Sequence, residues 1–390
     1  MGAIGSKNIF LRKNTIYKMK FTVSSQLLRD NLSKIYGVVG SNNVITILDN
    51  FLFTLDNETL TVISSDVENS MKVVIPVQSS EKGAMAVPAK KLMDTIKFIA
   101  EQPLLMNINE KDNILDIQTN NGNYKLTGFS AKEFPELTVV KDANSVKVDS
   151  VILMNAISQS TFAIGSDESR KAMTGLYCQF DKDGATFVAT DAQKLVRFKR
   201  RDVTAEDTFN FILPKKVLNQ LKTSLPHENH SVEVSFNKNQ CSFQFDNIFF
   251  ICRLIESQFP DYNAVIPNNN PNVLIVNREE LLSSLRRLSP YTSQTTHQVV
   301  FQIAGSQLTV SATDIDYASE GKENLMVNYN GEDFTIGFNS KYLSEILSTI
   351  QTEEVMIEMS TPARACLIFP NETNDKESIL MLIMPIMVSQ

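Results

Sequence analysis

The residues best suited to acid–base work are three aspartates that recur in one setting. Asp66, Asp191 and Asp314 each close a β-type run, LTVISSD, ATFVATD and LTVSATD, and they lie 125 and 123 positions apart. Brought together, three carboxylates could move a proton or hold a metal. Placed singly after a strand, each would instead fold onto its own backbone as a turn former. The regular spacing assigns one aspartate to each of three copies of a unit, which favours turns. Little else in the chain offers reactive groups. It has three histidines, His227, His230 and His297, and HENH at 227–230 lacks the spacing of a zinc-binding HExxH helix. Four cysteines, Cys178, Cys241, Cys252 and Cys366, form no CxxC pair, so burial in a reducing cytosol is expected, with no disulfide framework and no zinc. No phosphate-cradling glycine loop and no GxSxG turn stands at a strand–helix junction. These readings predict a protein that is not an enzyme and uses no metal or cofactor.

The second chemistry is that of a repeated cation. Lys90, Lys216 and Lys341 occupy one slot in three similar segments, two residues before Leu92, Leu218 and Leu343, and Lys91, Lys215 and Lys222 lie nearby. On a single helix such lysines would be ordinary solvated surface. Recurring three times in a chain with 37 Lys+Arg, 44 Asp+Glu and a net charge of −7, they predict a local basic surface on an acidic body. Mobile ammonium groups suit sequence-blind contact with phosphates. RKAM at 170–173 adds Arg170, whereas KLVRFKRR at 194–201 reads as part strand face and part solvated edge.

Three elements must position these groups. FTVSSQLLRDNL (21–32), VKVDSVILMNAI (146–157) and LIVNREELLSSL (274–285) align without gaps. Each predicts a strand, then a helix capped by Ser24, Asp149 or Asn277, with Leu28/Leu32, Leu153/Ile157 and Leu281/Leu285 on one face. Asn277 and Glu280 form a capping-box pattern. VPAKKLMDTIKFI (87–99), LPKKVLNQLKTSL (213–225) and FNSKYLSEILSTI (338–350) predict second amphipathic helices, with Pro88 and Pro214 in the first turn. EFPEL and QFPDY recur 125 positions apart. Alternating runs such as NILDIQTNNGNYKLTGF predict half-buried antiparallel strands. The fold expected is α+β: three tandem domains at 19–143, 144–267 and 268–390, each with sheets and two helices. Residues 1–18 read as a leader, disordered or an upstream-start extension. The apolar ending SILMLIMPIMVSQ is too short to span a membrane and is interrupted by Pro385, leaving a core strand or one wall of a site.

Taken in order, MKFTVSSQLL (19–28), VATDAQKL (188–195), FPDY (259–262), GFNSKYL (337–343) and MPIMV (384–388) resemble the bacterial DNA polymerase III β subunits, the sliding-clamp family. The resemblance covers essentially all of 19–390. It implies a head-to-tail homodimer closed into a ring, with sheets outside and helices facing duplex DNA. It further implies docking of the polymerase III α subunit, the clamp loader and other clamp-motif proteins in an apolar cleft, in the cytoplasm and away from membranes. Carried over by motif, the cleft comprises Met173, Thr190, Leu195, Pro260, Val265, Asn339, Tyr342, Leu382, Met384, Pro385 and Ile386. DNA contacts fall to Lys90, Lys91, Arg170, Lys215, Lys216 and Lys341. The subunit interface falls to Tyr124 and Leu126 against Leu288 and Tyr291. The chain departs from the family at Ala192 and Gln193, where a Gly-His pair is frequent. It departs again at Met387–Val388, where an Arg is frequent, and at Ser41, Asn42 and Asn43, where a basic residue is missing. Two rival readings are a protein-binding scaffold that ignores DNA and an enzyme with an unfamiliar site.

Overall fold

A computed structural model describes residues 19–40, 45–136, 139–372 and 374–388; the leader 1–18 and the loop Ser41–Asn43 lie outside them. Two compact units result. One ends at Lys141 and takes in Ser242–Cys252; the other comprises Asp142–Cys241 and the chain from Arg253 onward.

The helices form where the repeats place them. They are α1 (Ser25–Tyr36), α2 (Ala89–Ile96), α3 (Ser150–Ser160), α4 (Lys215–Ser224), α5 (Arg278–Leu288) and α6 (Ser340–Thr349). Ser24, Asp149 and Asn277 cap α1, α3 and α5, accepting hydrogen bonds from the backbone N–H of Leu27, Val151 and Glu280. Leu28, Leu32, Leu153, Ile157, Leu281 and Leu285 are all buried, as are Leu92, Leu218 and Leu343. Within each repeat the first helix packs on the second. One detail differs from expectation. Pro88 and Pro214 sit just outside α2 and α4, at the N-cap, and make no side-chain cap bond. Each is also the last residue of the preceding strand, so the chain leaves the sheet at the proline.

In the first unit, Met19–Ser24, Pro103–Asn109, Ile114–Gln118 and Asn123–Thr127 form an antiparallel sheet in that order, leaving Asn123–Thr127 as an edge. Ile248–Cys252 pairs with Asn69–Val73, and the sheet continues through Thr59–Ser65, Asn50–Asp56 and Lys82–Pro88 to Phe129–Ser130.

The second unit is built on a nine-stranded antiparallel sheet. Its order is Phe209–Pro214, Gly175–Asp181, Gly184–Thr190, Lys194–Arg200, Glu377–Ile383, Cys366–Pro370, Glu354–Met359, Asn272–Asn277 and Asn328–Asn330. The second and third repeats therefore share one sheet, joined where Lys194–Arg200 pairs with Glu377–Ile383. Leu380, Met381, Leu382 and Ile383 are all buried, so this strand is covered on both faces and not on one alone. A four-stranded sheet runs Ser319–Met326, Gln307–Asp314, Gln298–Ala304 and Phe334–Asn339, with Ser319–Met326 at one edge.

Candidate peptide cleft and basic helix ends

The three aspartates make the same local bonds. Asp66 Oδ1 accepts from the N–H of Glu68 (3.1 Å) and Asn69 (2.6 Å). Asp191 Oδ1 accepts from Gln193 and Lys194, both at 2.9 Å, and Asp314 Oδ1 from Asp316 (3.0 Å) and Tyr317 (3.4 Å). Each is a turn former whose Oδ1 is held by the backbone that follows it. Among the described residues no three His, Cys, Asp or Glu side chains gather as a metal cage. The His227–His230 loop serves structure: the Ser150 and His230 backbones and the Ser150 hydroxyl bind one another at the start of α3. All four cysteines are buried, and burial pushes the Cys366 thiol up to about 12, far from a thiolate at neutral pH.

The Asp191 turn forms one wall of an apolar surface. Thr190 is buried; its hydroxyl donates to the Lys194 carbonyl (2.8 Å) and accepts from the Ala192 N–H (3.1 Å). Beyond the turn, Leu195 lies opposite Leu382, and both are buried with Val188, Ala365, Leu367 and Leu380. Phe259, Tyr262 and Ile266 lean on that cluster, Phe259 stacking on Tyr177 with ring centroids 4.8 Å apart. Pro260 is exposed in the same segment, and Val265 is 57% exposed. Met173 is half-buried; its carbonyl accepts from Gly165 N–H, and Gly165 also lies against Asp191.

The chain ending supplies another wall. The Met384 N–H donates to the Gln193 carbonyl and the Ile386 N–H to the Gly337 carbonyl, each at 2.8 Å, and Gln298 Nε2 donates to the Met387 carbonyl (3.2 Å). Gly337 is required there, since a Cβ would stand 2.6 Å from the Ile386 carbonyl oxygen. Met384 is 36% exposed, and Pro385 and Ile386 are half-buried. Asn339 is committed to capping α6: its Oδ1 accepts from Lys341 and Tyr342 N–H while its Nδ2 donates to the Thr296 carbonyl.

One central residue escaped sequence reading. Lys194 is buried, its side chain 6% exposed, with Nζ 2.6 Å from Glu345 Oε2 on α6 and 3.4 Å from Asp191 Oδ2. The same ammonium stands 4.2 Å from the Tyr342 ring centroid. The lysine thus binds the turn that carries Thr190 to the helix that carries Tyr342. In KLVRFKRR it looks like one more solvated cation; only its alternation with inward-facing Leu195 hints that the charge must find partners on the other face. Tyr177, Phe259 and Tyr262 were likewise missed, although FPDY marks two of them.

Lys90, Lys91, Lys215, Lys216 and Lys341 are all exposed and all lie in the first turn of α2, α4 or α6. Cations there oppose the helix dipole, so these lysines do not serve helix stability. Arg170 is bonded within its own repeat. Its Nε donates to Asp167 (2.9 Å) and its Nη1 reaches the Asp191 carbonyl (3.5 Å), which places it beside the cleft turn. Tyr124, 42% exposed, and buried Leu126 belong to the edge strand Asn123–Thr127. Tyr291, 40% exposed, and buried Leu288 lie against Gly321 in the edge strand Ser319–Met326.

Comparison with known proteins gives three successive family matches: DNA polymerase III beta subunit, N-terminal domain over residues 19–138, central domain over 147–261 and C-terminal domain over 263–387. The beta sliding clamp of Chlamydia pneumoniae is 27% identical over 369 residues, 94% of this chain and 98% of its own. That of Bacillus subtilis is 23% identical over 379 residues, 94% of this chain and 99% of its own. Among solved structures, the beta subunit of Thermotoga maritima matches with a TM-score of 0.87 at 24% identity, covering 95% of this chain and all of that one. A sliding clamp from Pseudomonas aeruginosa bound to griselimycin matches with a TM-score of 0.90 at 22% identity and the same coverage. At these identities the solved structures speak for the fold. No helix among the described residues is long and apolar enough to cross a membrane.

Proposed function

The chain belongs to the DNA polymerase III beta subunit family, and from that premise we propose which of its residues serve a sliding clamp, a non-catalytic processivity factor that works with DNA and polymerase. Lys90, Lys216 and Lys341, with Lys91 and Lys215, contact phosphates of duplex DNA without reading sequence. The observation that carries this reading is the recurrence of an exposed lysine at the second position of α2, α4 and α6, where the helix dipole disfavours it. A phosphate at the start of α2 or α4, where no side chain caps the helix, meets both the ammonium and the N–H groups of the first turn, whereas at α6 Asn339 already holds those N–H groups and the ammonium acts alone. Two copies pair head to tail into a cytoplasmic ring of six domains, bounded in each copy at 19–143, 144–267 and 268–390. The edge strand holding Tyr124 meets the edge strand beside Tyr291, which removes two sheet edges that would otherwise invite aggregation.

The cleft around Leu195, Leu382, Pro260, Val265, Met384 and Ile386 takes short apolar segments of the polymerase α subunit, the clamp loader and other clamp-motif proteins. Met173 and Met384 suit an opening that accepts several sequences, because the thioether repacks readily. The test is fluorescence anisotropy of a labelled Gln-Leu-x-Leu-Phe peptide against the full chain and a version ending at Ile383. Binding that disappears on truncation, with circular dichroism unchanged, supports the cleft. Equal binding to both would move the docking surface elsewhere.

A further inference from the structure

Beside the apolar cluster of the proposed cleft stands a guanidinium whose Nε has no hydrogen-bond partner among the described residues. Arg197 follows Leu195 by two positions on the strand Lys194–Arg200, so the two side chains share a face. Its cross-strand neighbours are Val188 on one side and Leu380 on the other, both members of the buried cluster beneath Phe259 and Tyr262. Arg197 is half-buried, and its Nε is sealed from solvent without, among the described residues, a hydrogen-bond partner. Three residues on, Arg200 shows how this chain ordinarily treats a shielded guanidinium: it holds Asp202 at 2.9 Å and Glu377 at 3.1 Å. Burial raises the Tyr262 hydroxyl above its ordinary value and the Arg197 charge works against that rise, so the guanidinium is felt at the aromatic wall. A shielded donor left unmatched destabilises the free protein. A ligand that supplied the missing acceptor would recover that loss on binding.

We propose that Arg197 is a specificity-determining residue of the cleft, which takes a carboxylate of the docked segment. The inference builds on the cleft reading above. A carboxylate matches the planar fork of a guanidinium, and pairing is strengthened where water is displaced by the apolar surround. A phosphate dianion fits less well, since the negative charges of Asp181 and Asp261 already act on the neighbouring Tyr262. The carboxylate comes either from an acidic side chain or from the free C-terminus of the partner.

The test uses the full chain and four labelled peptides on the Gln-Leu-x-Leu-Phe frame, with Asp or Asn at x and a free or amidated C-terminus. At least one carboxylate is expected to tighten binding about tenfold, a preference that weakens with salt and is lost in Arg197→Met, while Arg197→Lys restores part of it. The Asp/Asn comparison and the acid/amide comparison separate the two sources. Equal affinity of all four peptides for the parent chain would overturn the role of Arg197 and leave the cleft standing. A preference undiminished in Arg197→Met would overturn it too. Failure of every peptide to bind the parent chain would remove the cleft reading and this inference together. Removing the orphan donor should leave the melting temperature of Arg197→Met at or above that of the parent. Should that variant not fold, Arg197→Lys and the four-peptide comparison on the parent remain decisive.

Discussion

Ala192 holds φ at +76° and Val67 at +82°, each directly after a turn-forming aspartate. Side chains with a Cβ resist that region by about 1–2 kcal/mol, and branching makes it worse. Glycine removes the clash but adds freedom to the unfolded chain, an offset of about 0.5–1 kcal/mol. Ala192→Gly and Val67→Gly should therefore each stabilise the protein by roughly 0.5–1 kcal/mol, with the larger gain at Val67, read as a rise in urea midpoint. No gain at either site would mean that the turns relax without cost. The turns themselves were legible, because LTVISSD, ATFVATD and LTVSATD share strand, small residue and Asp at one spacing. The strain was not, because no residue type announces a positive φ when an alanine or valine bears it.

Lys194 shows what an element-to-element contact adds. Its ammonium joins the Asp191 turn to α6 through Glu345 and Tyr342. Lys194→Met would strand Glu345, but that carboxylate is 46% exposed and can rehydrate, so the loss should be about 1–3 kcal/mol and not that of a fully buried orphan. Peptide affinity should fall with it, and Lys194→Arg should recover most of both. A double-mutant cycle with Glu345→Gln would report the coupling, and additive effects would sink the idea. A second tie joins α5 to the edge strand Ser319–Met326, where Arg287 grips Glu323 with two bonds of 2.7 Å. That bonding holds the Glu323 carboxyl below its ordinary value. A depressed carboxyl contributes stability that is complete above its unfolded pKa, near 4.3, and lost as pH falls through the lower folded value. The stability gap between the parent and Glu323→Gln should thus be full at pH 7, close progressively below about pH 4, and be small throughout because Arg287 is largely exposed and water screens the pair. An undiminished gap in acid would assign it to packing. Helix faces and caps were readable from leucine spacing and from Ser24, Asp149 and Asn277. Lys194 was not, since its partners Glu345 and Tyr342 lie some 150 positions away and appear only once the two repeats share a sheet.

At the scale of the whole molecule, the DNA contact proposed for the lysines and the stability of their helices pull in opposite directions. A cation in the first turn of a helix costs about 0.3–1 kcal/mol against the dipole, and a glutamate there gains a similar amount. Lys90→Glu, Lys216→Glu and Lys341→Glu combined should therefore melt no lower than the parent, while releasing circular DNA faster. Each phosphate left without its lysine should also lower the salt slope of DNA binding by about 0.9. Retention unchanged by the triple substitution would take these lysines out of the DNA contact and leave enclosure alone to hold the duplex. Ring closure carries its own test. Asn123–Thr127 and Ser319–Met326 are each the last strand of a four-stranded sheet, so each offers an edge for the pairing proposed between copies. The repeats were legible because their spacing is nearly constant, but pairing between copies leaves no periodic mark in one chain. Tyr124 is exposed on the first edge, and Tyr124→Glu places a charge where an apolar contact is proposed, without disturbing the core beneath. By light scattering at micromolar concentration the parent should have twice the mass of a 43.7 kDa chain, and the variant that of one. The variant should also lose DNA circles quickly even though every lysine remains, because an open chain holds phosphates only by charge and not by enclosure. A monomeric parent, or a variant that stays dimeric and retained, would break the link between these two edges and the ring.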